Sequence, residues 1–315
     1  MSENKAVNQT PDDDIAPERA QRIISLLPSA TEILFALGLD DAVCAVTHEC
    51  DYPAAALTKP HITRSLLAPN LSSGEIDAAV REQLVADAHS LYTIDRALLA
   101  EIDPTLIITQ QLCEVCAVAY DEVLEAVRSL PHRPLVINLE PEKLDDALAD
   151  IERVGVATGR EAEAAALLAD LRGRVERVRA TAAQATTHPR VAFIEWLDPI
   201  FCGGHWNPEL IEIAGGQDNI GKRYQRSEQV PWERVREDQP EVMIIAACGF
   251  TEERSRQDEP LLRALPGFAD LPCAQSGRVH FVDGAAYFSR PGPRLVDSLE
   301  ILARLIHPDL FPLSS

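Results

Sequence analysis

The sequence predicts an α/β protein made of two Rossmann-like lobes joined by a long backbone helix, with a ligand cleft between the lobes. Three observations carry this expectation. Short apolar runs bounded by Pro, Gly and Ser alternate with stretches of helical periodicity, the pattern of a largely parallel sheet. The alternation occurs twice, on either side of a stretch from Leu144 to Gln184 rich in Ala, Leu, Glu and Arg. A short echo, Asp103-Pro104-Thr105-Leu106-Ile107-Ile108 against Gln239-Pro240-Glu241-Val242-Met243-Ile244-Ile245, puts a proline just before a buried strand in both halves. The divisions expected are a disordered tail over 1–20, a first lobe over 21–140, a helical linker over 141–186 and a second lobe over 187–315.

Arg22 to Leu27 is rich in Ile and Leu and reads as a buried strand. Pro28-Ser29 turns the chain into a helix from Ala30 to Leu37, and Gly38 stands where a helix ends in the left-handed conformation. Val43 to Thr47 forms a second strand and feeds the loop His48-Glu49-Cys50-Asp51-Tyr52-Pro53. Ser72 and Glu75 make a capping-box pattern for a helix whose Ile76, Val80 and Leu84 keep helical spacing. Strand Leu106 to Thr109, helix Tyr120 to Leu130 and strand Leu135 to Asn138 complete the first lobe. The helical stretch from Leu144 is broken around Gly155 to Gly159, and Arg160 to Gln184 predicts one helix of about 37 Å, long enough to act as a strut. The second lobe reads as strand Arg190 to Ile194, helix Pro208 to Ala214, strands Val242 to Ala246 and Arg278 to Val282, and a last helix from Arg294 to Leu305. Lobes joined by a helix rather than by flexible strands are expected to close little on a ligand.

At 315 residues the chain has room for two ordinary domains, and 46% apolar content supplies their cores. The net charge of -21 comes from Asp and Glu spread along the chain, with basic residues clustered only briefly, as in Arg172 to Arg179. That distribution argues against nucleic-acid binding. No run approaches the roughly 20 apolar residues of a membrane span, so membrane insertion is not expected. Met1 to Ala20 is polar and acidic, with Asp12-Asp13-Asp14 where a signal peptide needs an apolar core. Seven irregularly spaced cysteines, an odd count, suit a reducing compartment better than a disulfide framework. A cytoplasmic location is the expectation; a periplasmic one is the alternative if the start is misassigned.

The candidate chemistry concentrates at strand ends. Leu112-Cys113-Glu114-Val115-Cys116 follows the strand at Leu106 to Thr109, so two thiols leave the carboxyl end of a strand, the rim where open α/β sheets hold ligands. A C-x-x-C pair is half of a zinc site or a redox pair. His48 and Cys50, on a neighbouring strand-end loop, are placed to complete a four-ligand transition-metal site. Cys202 and Cys248 also follow apolar runs, which predicts that Cys50, Cys113, Cys116, Cys202 and Cys248 open onto one inter-lobe cavity with Tyr52 and Tyr287 on its walls.

Aromatic residues make up only 5% of the chain, and Tyr52, Tyr92, Trp196, Trp206, Tyr287 and Phe288 fall at or near strand ends, where a flat ligand would be stacked. Core packing is the competing reading for each. Glu49 and Glu114 are candidate ligands or hydrogen-bonding partners, and His205 a candidate axial ligand to cobalt or iron. Arg290 and Arg294 suit a ligand amide, carboxylate or phosphate, Arg294 being equally a salt-bridge former. No G-x-S-x-G, H-E-x-x-H or phosphate-binding loop occurs, so catalysis is not expected. A Cys113 thiolate acting on a bound tetrapyrrole ranks last.

Several segments then resemble one family. Arg22-Ile23-Ile24-Ser25-Leu26-Leu27-Pro28-Ser29-Ala30-Thr31-Glu32, Asp51-Tyr52-Pro53 and Val230-Pro231-Trp232 are similar to the cobalamin-binding proteins of ABC importers, a branch of the helical-backbone (class III) substrate-binding proteins. The similarity runs from Arg22 to Ile306 and includes Pro199 to Gly204, Gly215-Gly216, Phe288-Ser289-Arg290 and Pro293-Arg294. The resemblance implies a rigid, non-catalytic clamp that holds cobalamin or another corrinoid in the cleft by stacking and a few polar contacts, then presents it to an ABC permease. The residues set against that role are Tyr52, Glu49, Tyr92, Glu114, Trp196, Trp206, Tyr287 and Arg290. His48-Glu49-Cys50 and the Cys113 to Cys116 motif depart from that branch. They motivate the alternative, a binder of a metal ion or a metal chelate (iron, haem or zinc) through Cys113, Cys116, Cys50 and His48.

Overall fold

The structure is a computed structural model that describes residues 21–68, 71–85, 91–110 and 120–312. The first lobe contains, in order, β1 (Ile23–Ser25), α1 (Pro28–Ala36), β2 (Val43–Val46), β3 (Thr63–Ser65), α2 (Ser73–Val85), β4 (Tyr92–Ile94), α3 (Arg96–Ile102), β5 (Leu106–Thr109), α4 (Tyr120–Arg128) and β6 (Leu135–Asn138). Two helices follow, α5 (Leu144–Thr158) and α6 (Glu161–Ala182). The second lobe contains β7 (Val191–Leu197), β8 (Ile200–Cys202), α7 (Asn207–Ile213), α8 (Trp232–Asp238) and β9 (Val242–Ile245). It ends with α9 (Glu252–Arg256), α10 (Glu259–Ala264), α11 (Pro272–Gln275), β10 (Val279–Phe281) and α12 (Leu295–Ile306).

The first sheet has the order β2-β1-β5-β6 and is parallel throughout. The second has the order β10-β9-β7-β8, with only β8 antiparallel. Because a parallel sheet is covered on both faces, its inner strands are apolar at successive positions rather than alternating, and β5 and β9 are buried along their whole length. The small antiparallel pair β3–β4 escapes a reading based on apolar runs, since Thr63-Arg64-Ser65 carries no such run.

The proline echo marks a device built twice. In each lobe the residue before the proline ends a helix in the left-handed conformation, Asp103 at φ 44° after α3 and Gln239 at φ 51° after α8. An arginine ahead of the sheet's central strand then caps that helix end. Arg22 Nε donates to the carbonyls of Ile102 and Asp103, both at 2.9 Å, and Arg190 Nε to those of Asp238 and Gln239 at 3.0 and 3.1 Å. A cation on carbonyls that the helix leaves unpaired is favoured by both hydrogen bonding and the helix dipole.

Between the lobes the expected break at Gly155 to Gly159 resolves differently at its two ends. Gly159, at φ 67°, caps α5, whereas Gly155 lies inside the helix. A side chain at Gly155 would meet Ala164 Cβ at 2.6 Å, so the glycine lets α5 and α6 cross closely as a hairpin. The 22 residues of α6 span about 33 Å. Its buried Leu168, Leu171, Val175 and Val178 join a single hydrophobic cluster that takes in Ile23 and Ile108 from one sheet and Val191 and Val242 from the other. Apolar packing therefore runs continuously from lobe to lobe through this helix.

Candidate binding site

The carboxyl ends of the two sheets face each other. Residues that follow β1 and β2 meet residues that follow β10. Arg294 makes a bidentate pair with Glu32, at 3.1 Å from Nε and 2.6 Å from Nη2, and both side chains are nearly buried. Arg290 pairs with Asp51 through both carboxylate oxygens and also donates to the Glu49 carbonyl at 3.0 Å. Burial pushes the Glu32 carboxyl above its ordinary value, with the Arg294 hydrogen bond and charge opposing that shift. Glu32 was readable as unusual, being the one charge in the otherwise apolar helix Pro28-Ser29-Ala30-Thr31-Glu32-Ile33-Leu34-Phe35-Ala36.

Around this seam the structure brings together two groups of the expected ligand residues. Arg294 lies over the Tyr52 ring at 4.0 Å and within 5.6 Å of the Tyr287 ring, so the two tyrosines share one guanidinium. Tyr52 remains 47% exposed, unusual for so large an aromatic side chain at an interface. One π-helical turn, Gly284–Phe288, presents Tyr287, and Asp283 caps it by accepting from the Ala286 amide. In the second group the His48 ring sits 5.1 Å from that of Tyr92, its Nδ1 is 2.7 Å from Thr63 Oγ1, and its Nε2 is 3.3 Å from Glu49 Oε1. The His48 contact lowers the Glu49 carboxyl pKa against the opposing effect of burial.

Other expectations need correction. Cys50 is only 1% exposed and packs in the core, its sulfur 3.0 Å from Thr31 Oγ1 and 3.7 Å from Thr47 Oγ1. Burial raises its thiol pKa, so a metal-binding thiolate is disfavoured there. Cysteine behaves in this position as a small hydrophobe. Cys202 is likewise buried, in the second lobe's core, while Cys248 is exposed, so these thiols do not open onto one cavity. Trp206 is a core residue that donates from Nε1 to the Phe288 carbonyl at 3.0 Å, and Phe288 is itself fully buried. Arg290 is committed to Asp51 and Glu49 rather than open to a ligand.

His205, at φ 50°, stacks on Trp206 with centroids 5.4 Å apart, and burial lowers its pKa. Trp196 is half-buried on the seam, where its Nε1 donates to the Ser73 carbonyl of the opposite lobe at 3.3 Å. Cys113, Glu114 and Cys116 lie outside the described residues. Among the described residues, no group of three or more His, Cys, Asp and Glu side chains is arranged to hold a metal ion. No helix among them is long and apolar enough to cross a membrane.

One buried carboxylate escaped notice. Glu195 accepts from the Gly204 amide at 3.0 Å, from Asn207 Nδ2 at 2.8 Å and from the Ser227 hydroxyl, and burial raises its pKa. A lone acid between Ile194 and Trp196 in a strand was the available signal.

Two α/β lobes with facing strand ends, a helical backbone and aromatic side chains along the seam define a two-lobed ligand-binding protein. The chain belongs to the periplasmic binding protein family, whose profile matches residues 23–286. It is 27% identical over 287 residues to a vitamin B12-binding protein of Vibrio cholerae serotype O1, covering 90% of this chain and 88% of the relative. It is 22% identical over 301 residues to the ABC transporter substrate-binding lipoprotein YvrC of Bacillus subtilis, covering 92% and 81%. Among solved structures, the periplasmic vitamin B12-binding protein BtuF of Vibrio cholerae superposes with a TM-score of 0.68 at 24% identity, over 92% of this chain and 97% of that one. The periplasmic heme-binding protein HutB of the same organism gives 0.70 at 17% identity, over 92% and 100%.

Proposed function

We propose that this protein is the non-catalytic substrate-binding component of an ABC importer and that its ligand is cobalamin or a related corrinoid, held between the lobes and handed to a permease. The observation that carries the reading is Tyr52. Its ring is backed by Arg294 at 4.0 Å yet stays 47% exposed at the inter-lobe seam, a rigid aromatic surface suited to a flat, largely apolar ring system. Tyr287 beside it, and Tyr92 with Glu49 on the neighbouring loop, would supply further wall and a polar contact. The vitamin B12-binding relatives favour a corrinoid over the heme of the more distant structural neighbours. The metal reading loses a ligand with Cys50 in the core.

The test is titration of the purified protein with cyanocobalamin and, separately, with hemin, followed by visible absorbance and calorimetry. Binding of cyanocobalamin at micromolar or better affinity is expected, and Tyr52→Ala should weaken it about tenfold, the equivalent of about 1.4 kcal/mol. Binding of hemin alone, or of neither compound, would reject the corrinoid assignment.

A further inference from the structure

We propose that the first turn of α2 is a strap across the seam between the lobes, latched onto the rim of the second sheet, and that ligand enters and leaves by release of this strap rather than by rotation of the lobes. The ligand half of the statement rests on the function proposed above; the strap itself does not.

Four contacts make the latch. The Leu71 carbonyl accepts from Arg254 Nη2 at 3.2 Å, and the Ser73 carbonyl from Trp196 Nε1 at 3.3 Å. Gly74 lies so close to Asp198 that a Cβ there would stand 2.8 Å from Oδ2. Further along the helix Arg81 Nη2 donates to Gln229 Oε1 at 3.1 Å. The receiving surface is itself ordered: the Trp196 and Phe250 rings are 4.9 Å apart, and the Arg254 guanidinium covers Phe250 at 4.2 Å. The strap's own turn is stiffened by the capping box, in which the Ser72 amide donates to Glu75 Oε2 at 2.8 Å and the Glu75 amide to Ser72 Oγ at 3.3 Å.

What holds α2 elsewhere is slight. None of its described side chains belongs to any of the three hydrophobic clusters, and Ser73 is its one buried residue among those described. A helix with few apolar contacts and exposed polar attachments is drawn from the least stable part of a fold. The other bridge between the lobes is different in kind, with the nearly buried Arg290 and Arg294 pairs standing beside the continuous core. One side of the seam is thus fixed, and the α2 side is the one built to open. Trp196, which the sequence offers as a ligand residue, serves here as the anchor.

Gly74→Cys combined with Asp198→Cys tests this. A Cβ on residue 74 would be 3.4 Å from the present Asp198 Cγ, within reach of a disulfide, whose Cβ atoms stand about 3.5–4.5 Å apart. Oxidation should cross-link the variant, with wild type carried through the same oxidant as control for native thiols. In the cross-linked protein, cyanocobalamin association and dissociation should each slow at least tenfold and recover on reduction. Gly74→Val, which wedges the contact apart, should accelerate both. A ligand-free readout runs alongside: Trp206 and Trp232 are buried, so iodide quenching of tryptophan fluorescence reports mainly Trp196. Quenching should fall in the cross-linked protein and rise in Gly74→Val. A cross-link that forms without changing exchange rates, or a Gly74→Val protein with wild-type quenching, overturns the strap. If quenching responds as stated while no protein binds cyanocobalamin, the strap stands and the corrinoid assignment falls.

Discussion

Removing one side of the Glu32–Arg294 pair puts the electrostatics of the seam to a quantitative test. In Arg294→Met the apolar stem is retained, but the Glu32 carboxylate loses a bidentate partner at a position where its side chain is only 2% exposed. A buried charge stripped of its partner costs about 3–5 kcal/mol, far more than the intact pair contributes, because desolvation is no longer offset. That corresponds to a melting temperature lower by about 5–10 °C for a chain of this size.

The loss should depend on pH with a definite sign. Burial already raises the Glu32 pKa in the wild type, with Arg294 opposing the shift. Without Arg294 the folded-state pKa rises further above the unfolded value, so the folded variant binds a proton more readily than the unfolded chain. Such a group supports stability below the unfolded pKa and loses that support as pH rises through the folded one. The deficit of Arg294→Met against wild type should therefore be small near pH 4.5 and grow to its full size by about pH 8. Urea unfolding followed by circular dichroism at both pH values measures it. Glu32→Leu combined with Arg294→Met should return to within about 1–2 kcal/mol of wild type, since an apolar pair replaces the buried charges. A deficit under about 1 kcal/mol, or one that is the same at both pH values, would show that Glu32 is not a desolvated charge held by Arg294.

Two further outcomes follow from residues of α5. Asp150 is buried, its pKa raised to about 6 chiefly by desolvation, with Arg153 opposing the shift; its native contribution is lost as pH rises from 4 through about 6. Asp150→Asn should remove that dependence, shifting stability in the variant's favour by up to about 3 kcal/mol between pH 4 and 7.5; parallel stability curves for the two proteins would contradict it. Gly155→Ala sets helix propensity, worth about 1 kcal/mol, against a clash with Ala164 that costs about 1–3 kcal/mol. The contact at 2.6 Å is too short for a Cβ to be accommodated without backbone movement, so thermal unfolding should show net destabilisation, and a raised melting temperature would refute the close-crossing account.

The parts of the fold that are legible in sequence are those set by short-range physics. Pro28 opens α1 and Gly38 follows its end at φ 70°; the Ser72 and Glu75 side chains make their reciprocal bonds; and Leu106–Thr109 and Leu135–Asn138 form strands over the ranges their apolar runs suggest. The echo around Pro104 and Pro240 marks a repeated structural unit, because an arginine and a left-handed residue are needed at the same places in both lobes. What stays hidden depends on partners far along the chain. The strand β8 turns back after Leu197 with no hairpin dipeptide to announce it, and nothing local to Gly155 says that Ala164 will lie against it.

The site is harder to read for a related reason. In a single open sheet the carboxyl rim serves the ligand, so a polar or aromatic residue just after a strand is a fair candidate for contact. In a two-lobed protein the same rims must also meet each other, and residues of that meeting have the same appearance in sequence. Arg290, 239 residues from Asp51 along the chain, and Trp196, 123 residues from Ser73, are rim residues by position and seam residues by partner. Cys50 and Trp206 show the other ambiguity, since both side chains are apolar enough to turn inward and do so. Tyr52 differs from all four. Its ring is already stacked on a guanidinium whose own charge is met by Glu32, so keeping the ring in place costs a ligand nothing in ordering, and nearly half of its surface is left for that ligand to cover. A side chain that the seam holds but does not bury is the kind of group a binding cleft needs. That combination of fixed and exposed, visible only once partners are known, singles out Tyr52 among the rim residues.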